Sequence, residues 1–372
     1  MGKHRAFLSR AAENSFLRSS GIFAPSMPIQ LTHPDGRVIT QAERLEPDMV
    51  DPAALIDAVE AWNLSQVDPV EVAQNPTIVA FGLGDLMPFS QPFAKIPWLE
   101  AMLGCPLTMT EGHIWVERYE GDLEQLARRG INLAQNPWFD LYVEFLRQLE
   151  ARLGDRYPVT ANTLFRGPSD LAAALMGVQE ACVGWIQQPA LMARLMRVCT
   201  DANLVVIEAG RKLLASFAGG FMSGFGIWTP DPVVRAQADH SSLLSPRMYK
   251  AQVLPYDLEV IRACPSCIFH IHNNGLHVAP YLVEVAELDA VEVMVDPYPV
   301  GERKQYEIEM LRVIQQHKPL ILDVNFPTVQ EADWLLAQLV PRGLCFNARF
   351  APETFCAAQD LPGSEFWVLE RK

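Results

Sequence analysis

The sequence predicts an α/β fold: a closed (β/α)8 barrel, or TIM barrel, with an N-terminal elaboration of helix and hairpin. The chain has 372 residues, of which 49% are hydrophobic and 20% charged, so it can build one large core. From residue 77 onward, short apolar runs alternate with amphipathic segments. This alternation is typical of a parallel sheet buried on both faces, and eight such units close a barrel. A doubly wound open sheet is the alternative.

The first 76 residues are expected to pack on the barrel, which residues 77–372 form. Residues 3–19 have a helical pattern. The turn signature His33-Pro-Asp-Gly lies between two short runs and predicts a small hairpin. Asp51 precedes Pro52 and an apolar face, which predicts a capped helix over residues 52–62.

The eight predicted strands are apolar runs that end in polar residues. They cover residues 78–82, 159–163, 219–225, 233–238, 267–272, 290–295, 320–324 and 344–347. The main predicted helices between them cover residues 189–214, 245–262, 276–287, 302–317 and 329–340.

The net charge and the cysteine content indicate which binding partners and which cellular compartment are expected. Thirty Lys and Arg against 44 Asp and Glu give a net charge of −14, which argues against nucleic acid or an anionic membrane surface as a main partner. Residues 1–20 have no apolar core of a secretory signal, and no membrane segment is expected. Seven cysteines, mostly widely spaced, are typical of a reduced, cytoplasmic protein.

Polar residues follow most of the predicted strands, where a barrel carries its catalytic groups. The candidate catalytic residues are Asp239, His240, Asp296, Asp323 and Arg349. Further polar residues at strand ends are Asp85, Asn162, Arg166, Asn273, Asn325 and Asn347. Some of these residues are expected only to cap the next helix, because Asp and Asn are ordinary N-caps.

His270 and His272 predict a metal site. Two residues apart on a strand, both side chains point to the same face. Imidazole nitrogen is a common zinc ligand, and Asp239 or His240 from the neighbouring strand end would complete three protein ligands with one position open. Zinc or a similar divalent ion is therefore expected here. The alternative is that both rings pack in the barrel mouth and hydrogen-bond Asp239 or Asn273.

Arg349 has two interpretations. Its guanidinium fork matches a carboxylate, which predicts a substrate anchor. Alternatively, it is held by an ion pair with a neighbouring carboxylate, as buried charges usually are.

The segments Gln237–Tyr249 and Phe269–Gly275 resemble the uroporphyrinogen decarboxylase superfamily, most closely the branch of corrinoid and coenzyme M methyltransferases. Residues 162–177 and 288–296 add to the resemblance, which spans residues 77 to 355. It implies a barrel enzyme acting on a small molecule at the mouth. No corrinoid-binding domain is recognisable in the chain, so a corrinoid would come through a separate partner protein.

Two departures from the superfamily pattern bear on the chemistry. The arginine-rich segment and the Phe-Ser-Asp run of the porphyrinogen decarboxylases are not found, which argues against porphyrinogen turnover. The methyltransferase branch holds zinc with His-x-Cys and a later cysteine. Here His270 matches, His272 stands at the first cysteine, and Ala348 near the second, with Cys345 as the nearest sulfur. Two histidines and a carboxylate make a harder, more Lewis-acidic site than two thiolates.

Three hypotheses of function follow. The first is a small-molecule methyltransferase in which His270, His272 and Asp239 hold either a divalent metal or the substrate directly. The alternative is a decarboxylase or lyase acting on a non-porphyrin carboxylic acid, with a histidine as proton donor. The third is a binding protein that keeps the barrel without its chemistry.

Overall fold

A six-stranded parallel sheet forms the centre of the structure, a computed structural model. The structure describes residues 1–10, 15–22, 31, 37, 43–65, 79–80, 84–93, 95–110, 113–161 and 165–351. The predicted hairpin around His33 and the candidate Asn162 lie outside these residues.

The described chain forms strands β1 to β13 and helices α1 to α13. The strands are β1 (Leu17–Ile22), β2 (Glu43–Arg44), β3 (Val79–Ala80), β4 (Phe89–Ser90), β5 (Leu107–Thr110), β6 (His113–Val116), β7 (Phe221–Met222), β8 (Trp228–Thr229), β9 (Val233–Gln237), β10 (Ser266–His272), β11 (Ala290–Val295), β12 (Leu320–Phe326) and β13 (Leu344–Phe350). The helices are α1 (Gly2–Ser9), α2 (Pro52–Ser65), α3 (Trp98–Met102), α4 (Leu123–Arg129), α5 (Pro137–Leu153), α6 (Pro168–Met176), α7 (Val178–Gln187), α8 (Pro189–Leu213), α9 (Pro246–Met248), α10 (Leu254–Ile261), α11 (Ala279–Leu282), α12 (Glu302–His317) and α13 (Val329–Ala337).

The central sheet has the order β1-β13-β12-β11-β10-β9, and every neighbouring pair is parallel. Five of the eight predicted apolar runs are its strands β9 to β13. Beyond β1, the N–H of Asp85 donates to the carbonyl of Arg18 at 2.8 Å. Ser90 in turn forms a parallel bridge with Val159. Ser90 belongs to β4, which pairs antiparallel with β3.

The prediction of a helix over residues 3–19 is wrong in its second half. Helix α1 ends at Ser9, because Arg10 takes a left-handed conformation with φ of 52°. Within the predicted helix, the residues from Leu17 onward instead belong to β1, which pairs with β13 from Leu17 to Ile22. The expectation that the first 76 residues pack on the barrel without folding alone stays a prediction.

The predicted strand over residues 219–225 is also wrong. Instead of joining the central sheet, β7 pairs with β8 in a small antiparallel hairpin. Gly219 and Gly226 have φ of 75° and 70°, a left-handed region that favours glycine, so the chain turns back at both points.

The hairpin and α1 close the amino end of the sheet. Side chains from the first half of each central strand point inward and form a buried apolar layer with residues of α1 and the hairpin. The members of this layer are Phe7, Leu17, Ile227, Val233, Ile268, Ala290, Ile321 and Cys345. His4 ties α1 down, because its Nε2–H donates to the Asp85 carbonyl at 2.7 Å and its Nδ1 accepts the Trp228 N–H at 2.8 Å.

The outward-facing strand residues pack against the helices in the main core. Trp98 on α3 lies near its middle, edge-on to Tyr142 and Phe145 of α5 at centroid distances of 5.6 and 6.1 Å. Within the described residues, no helix is both long and apolar enough to cross a bilayer. The six cysteines of the described chain are free thiols.

Candidate active site

The inward-facing side chains change from apolar to polar toward the carboxyl ends of the strands. Gln237, His270 and Glu292 lie side by side, because β9, β10 and β11 pair in the register Gln237↔His270↔Glu292. Two residues further, His272 is in register with Met294, which is in register with Asp323. The alternation of each strand thus places one polar layer above the apolar layer.

Asp239, His270 and His272 come together as the sequence predicts. Each offers one ligand atom, and these three atoms lie within 4.8 Å of one another. Asp239 Oδ1 is 3.4 Å from Nε2 of His270 and 3.9 Å from Nε2 of His272. His270 is buried, whereas the side chains of Asp239 and His272 are partly exposed. The cluster is therefore reachable from the mouth.

Glu292 holds His270 from the neighbouring strand. Its Oε2 accepts the Nδ1–H of His270, which leaves Nε2 facing Asp239. The ring of Phe225 stacks on His270 at a centroid distance of 6.4 Å. Burial alone would lower the pKa of His270, but the charge of Glu292 and the neighbouring Asp239 raise it to about 9.

Asp239 presents one buried oxygen that lacks a donor. Oδ2 accepts from Gln237 Nε2 at 3.1 Å, but Oδ1 is shielded from solvent and makes no hydrogen bond within the described chain. Burial alone would raise the pKa of Asp239, but the adjacent His270, His272 and Arg235 hold it below its usual value. A carboxylate oxygen without a donor, beside two imidazole nitrogens, fits a divalent cation.

His240 points away from this cluster. Its Nε2 accepts from the indole N–H of Trp185 at 3.2 Å, and its backbone N–H donates to Asp170 Oδ1 at 2.7 Å. Burial lowers the pKa of His240 to about 4. The structure does not bring this ring to Asp239, His270 and His272, and a catalytic role for it stays a prediction.

Arg349 and Asp323 form an ion pair on the other side of the mouth. Arg349 Nη2 lies 2.6 Å from Asp323 Oδ1, and it also contacts the sulfur of Met294 at 3.5 Å. Burial raises the pKa of Asp323, although the Arg349 charge opposes this. The structure therefore contains the ion pair that one interpretation of Arg349 predicts. A role for Arg349 as a substrate anchor stays a prediction.

The remaining candidates are spread over the molecule. Asp296 is exposed in the loop after β11 and is not one of the three clustered ligands. Arg166 pairs with the buried Glu100 at 3.0 Å. Asn273 donates to Glu307 and to the Pro297 carbonyl. Asp85, expected beside the mouth, instead pairs with Lys3 of α1 at 2.7 Å.

Residues 92–298, more than half of the chain, match the family described as Uroporphyrinogen decarboxylase (URO-D). The chain belongs to the URO-D family. No curated protein matches the sequence. Among solved structures, a methyltransferase from Methanosarcina mazei has a similar fold at 17% identity, with a TM-score of 0.54. The match covers 87% of this chain and 93% of the other.

These similarities confirm the predicted fold class and superfamily. The URO-D fold is a TIM barrel, and the central strands here pair in parallel as such a barrel requires. The similarity to the methyltransferase from Methanosarcina mazei shows the same fold.

The sequence did not single out the buried polar residues that lie behind Asp239, His270 and His272. Glu292 carried one signal, because it is a charged residue inside the apolar run Val291-Glu-Val-Met-Val. Glu292 pairs in register with His270, so this charged side chain lies next to one of the clustered histidines. Arg235 carried the same kind of signal, because it is a charged residue inside the run Val233-Val-Arg-Ala-Gln, and Gln237 is a polar residue near the end of that run.

Proposed function

We propose that this URO-D family protein is an enzyme that transfers a methyl group to or from a small molecule. The small molecule would bind at the mouth formed by the carboxyl ends of the barrel strands. Asp239, His270 and His272 would hold a divalent metal ion there, zinc by preference. The observation that carries the proposal is the position of Asp239 Oδ1, a buried oxygen that makes no hydrogen bond within the described chain and lies 3.4 and 3.9 Å from Nε2 of the two histidines.

The ligand set supports zinc. Two imidazoles and one carboxylate are a common catalytic zinc set, and they leave a coordination position for substrate. Glu292 supports the assignment, because metal-binding histidines usually donate their other ring N–H to a carboxylate or carbonyl. When bound, the ion would supply Lewis acidity to one substrate atom.

The protein's own residues orient the site. Glu292 fixes the ring of His270, and Phe225 packs on one face of that ring. His272 stands where the methyltransferase branch has a cysteine, so the site is harder and favours oxygen and nitrogen more than a thiolate site does. The proposal therefore includes a methyl acceptor or donor that differs from that of the thiolate-bearing enzymes.

We propose a small-molecule substrate and, if the methyl donor is a corrinoid, a separate corrinoid protein that delivers it. The free thiols of the described cysteines support a reducing compartment, and we place the enzyme in the cytoplasm.

The first experiment measures metal. Protein purified without chelator should contain about one zinc ion per chain, because three ligands of this kind form a complete catalytic site. Asp239→Asn and His272→Ala should lose the ion, whereas His113→Ala, on an exposed strand position, should keep it. Full zinc retention in both site variants would reject the metal assignment.

The second experiment measures methyl transfer. Methylcobalamin serves as the donor probe with small thiols, amines and alcohols as acceptors, and loss of the methyl–cobalt absorbance reports turnover. Turnover in the wild type that disappears in His272→Ala supports the proposal. Turnover that is equal in wild type and His272→Ala would contradict it.

A decarboxylase or lyase is the second candidate, favoured by one observation. The pKa of His270 is raised to about 9 in the metal-free protein, so this ring holds a proton that could replace a departing carboxylate. Carbon dioxide release from small carboxylic acids by EDTA-treated protein, suppressed by added zinc, would support this function over methyl transfer. A pure binding protein would show neither activity.

A further inference from the structure

A buried polar network lies beneath the clustered ligands. It consists of Arg235 and Gln237 on β9 and Asp170 on α6, each at most 7% exposed. Arg235 also lies over the ring of Phe225, 5.4 Å from its centroid. No described carboxylate forms an ion pair with Arg235, so its hydrogen bond to Gln237 is its main polar contact in the described structure.

Arg235 fixes the orientation of the Gln237 amide. Arg235 Nη1 donates to Gln237 Oε1, and a guanidinium has no acceptor. The amide oxygen must therefore face Arg235, and the amide NH2 must face the other way. That NH2 donates to Asp239 Oδ2 at 3.1 Å and to Asp170 Oδ2 at 3.2 Å.

The bond from Gln237 determines which oxygen of Asp239 is available. With Oδ2 held by the amide, Oδ1 is the oxygen that faces His270 and His272. An Asp239 that rotated would break this bond and remove Oδ1 from the two imidazoles.

Asp170 anchors the network to the helix layer. Its Oδ2 also accepts from the Gly167 N–H at 3.2 Å, and its Oδ1 accepts from the His240 N–H at 2.7 Å. The second bond holds the turn on which Asp239 lies. A Cβ added at Gly167 would lie 1.8 Å from the Gln237 carbonyl oxygen, so α6 and β9 meet here in direct backbone contact.

We infer that Gln237 is a positioning residue, which, oriented by Arg235 and anchored by Asp170, presents Asp239 Oδ1 to the metal. This inference rests on the proposed function of the three ligands. A glutamine suits the position because it accepts from Arg235 and donates to two carboxylates at once. A glutamate could only accept, and an apolar residue could do neither.

The test is a titration with Co²⁺ followed by visible absorption, which reports both affinity and ligand geometry. Gln237→Met, similar in length and uncharged, should bind Co²⁺ about 10- to 100-fold more weakly than wild type and with a changed spectrum. The matched control is Gln315→Met. Gln315 is also a buried glutamine, with its amide bonded twice to Val340, and its replacement should leave Co²⁺ affinity and spectrum unchanged.

The possible outcomes distinguish the positioning role of Gln237 from the existence of the metal site. Wild type that binds Co²⁺ and a Gln237→Met variant with the same affinity and spectrum would overturn the positioning role alone. Wild type without Co²⁺ binding would overturn the metal site and this role together. If the methionine variant does not fold, Gln237→Glu replaces it, since Glu still accepts from Arg235 but cannot donate to Asp239. An unchanged Co²⁺ spectrum and affinity in that variant would also overturn the role.

Discussion

Glu292 on β11 accepts the Nδ1–H of His270 on β10, and the two residues are direct neighbours in the strand register. Both side chains are buried, so the carboxylate acts on the ring with little competition from solvent. The pair sets which nitrogen of His270 faces the mouth, and it connects the strand order to the chemistry of the site.

Glu292→Gln should weaken Zn²⁺ binding about 10- to 100-fold, because the amide keeps the hydrogen bond to His270 but removes the charge that makes the ring a better ligand. Competition with a chromogenic chelator measures the affinity. Glu100→Gln is the control, since Glu100 is a buried carboxylate that pairs with Arg166 instead. Equal affinities in the two variants would contradict a supporting role for Glu292.

His4 should make stability depend on pH. Its Nδ1 accepts the Trp228 N–H, so the folded protein needs the neutral ring, and burial is the main cause that lowers its pKa. The unfolded chain takes up the proton at about pH 6.5, before the folded protein does. The free energy of unfolding should therefore fall as the pH drops from about 6.5 toward the lowered pKa, and this contribution should change no further below it.

Urea unfolding at a series of pH values tests this dependence. His4→Gln should lack the part of the acid-dependent loss that His4 causes, while His113→Gln, at an exposed position, should follow the wild type. If the stability of His4→Gln parallels that of the wild type from pH 7 to pH 4, the His4 explanation fails.

Trp98→Ala should destabilise the protein by about 3 to 5 kcal/mol, because it leaves a large cavity in the core. The side chain is almost fully buried against Tyr142 and Phe145, and its N–H donates to the Phe93 carbonyl at 3.1 Å. Chemical denaturation measures the change. Trp115→Ala removes the same side chain from an exposed strand and should cost about 0.5 kcal/mol or less. Similar losses for both variants would contradict the central place of Trp98.

Uroporphyrinogen should not be decarboxylated, despite the family to which the chain belongs. Its many carboxylates need several free cations, yet Arg166 pairs with Glu100 at 3.0 Å and Arg349 with Asp323 at 2.6 Å. Chromatography of the oxidised products, with a genuine uroporphyrinogen decarboxylase run in parallel, measures turnover. Formation of coproporphyrinogen above the rate without enzyme would overturn this expectation.

Apolar runs correctly predicted the strands of the central sheet that are buried on both faces. They gave a wrong prediction where an apolar segment is buried outside that sheet. Strands β9 to β13 are largely apolar, so their positions could be predicted. Strand β1, Leu17-Arg-Ser-Ser-Gly-Ile, has only two apolar residues, at its ends, and its pairing with β13 is long-range. The hairpin of β7 and β8 has apolar residues because it covers the amino end of the sheet, so the pattern alone could not separate it from a central strand.

The pair of clustered histidines could be predicted because a spacing of two residues on one strand is a local property. His270 and His272 needed no knowledge of the neighbouring strands to be placed on one face. The roles of Glu292 and Gln237 depend on the register between strands and on hydrogen-bond direction, which no local pattern encodes. For the same reason, the sequence could not tell that His240 turns toward Trp185.

The apolar layer at the amino end turns the barrel into a cup with its rim at the carboxyl ends of the strands. Phe7, Leu17 and Ile227 are among the residues that form its floor. Both reactants of a transfer reaction must then pass the same rim, and a donor carried by another protein would cover it while docked. Under the proposed methyl transfer, a small acceptor would have to arrive first and its product leave last, so the kinetics should show a compulsory order of arrival.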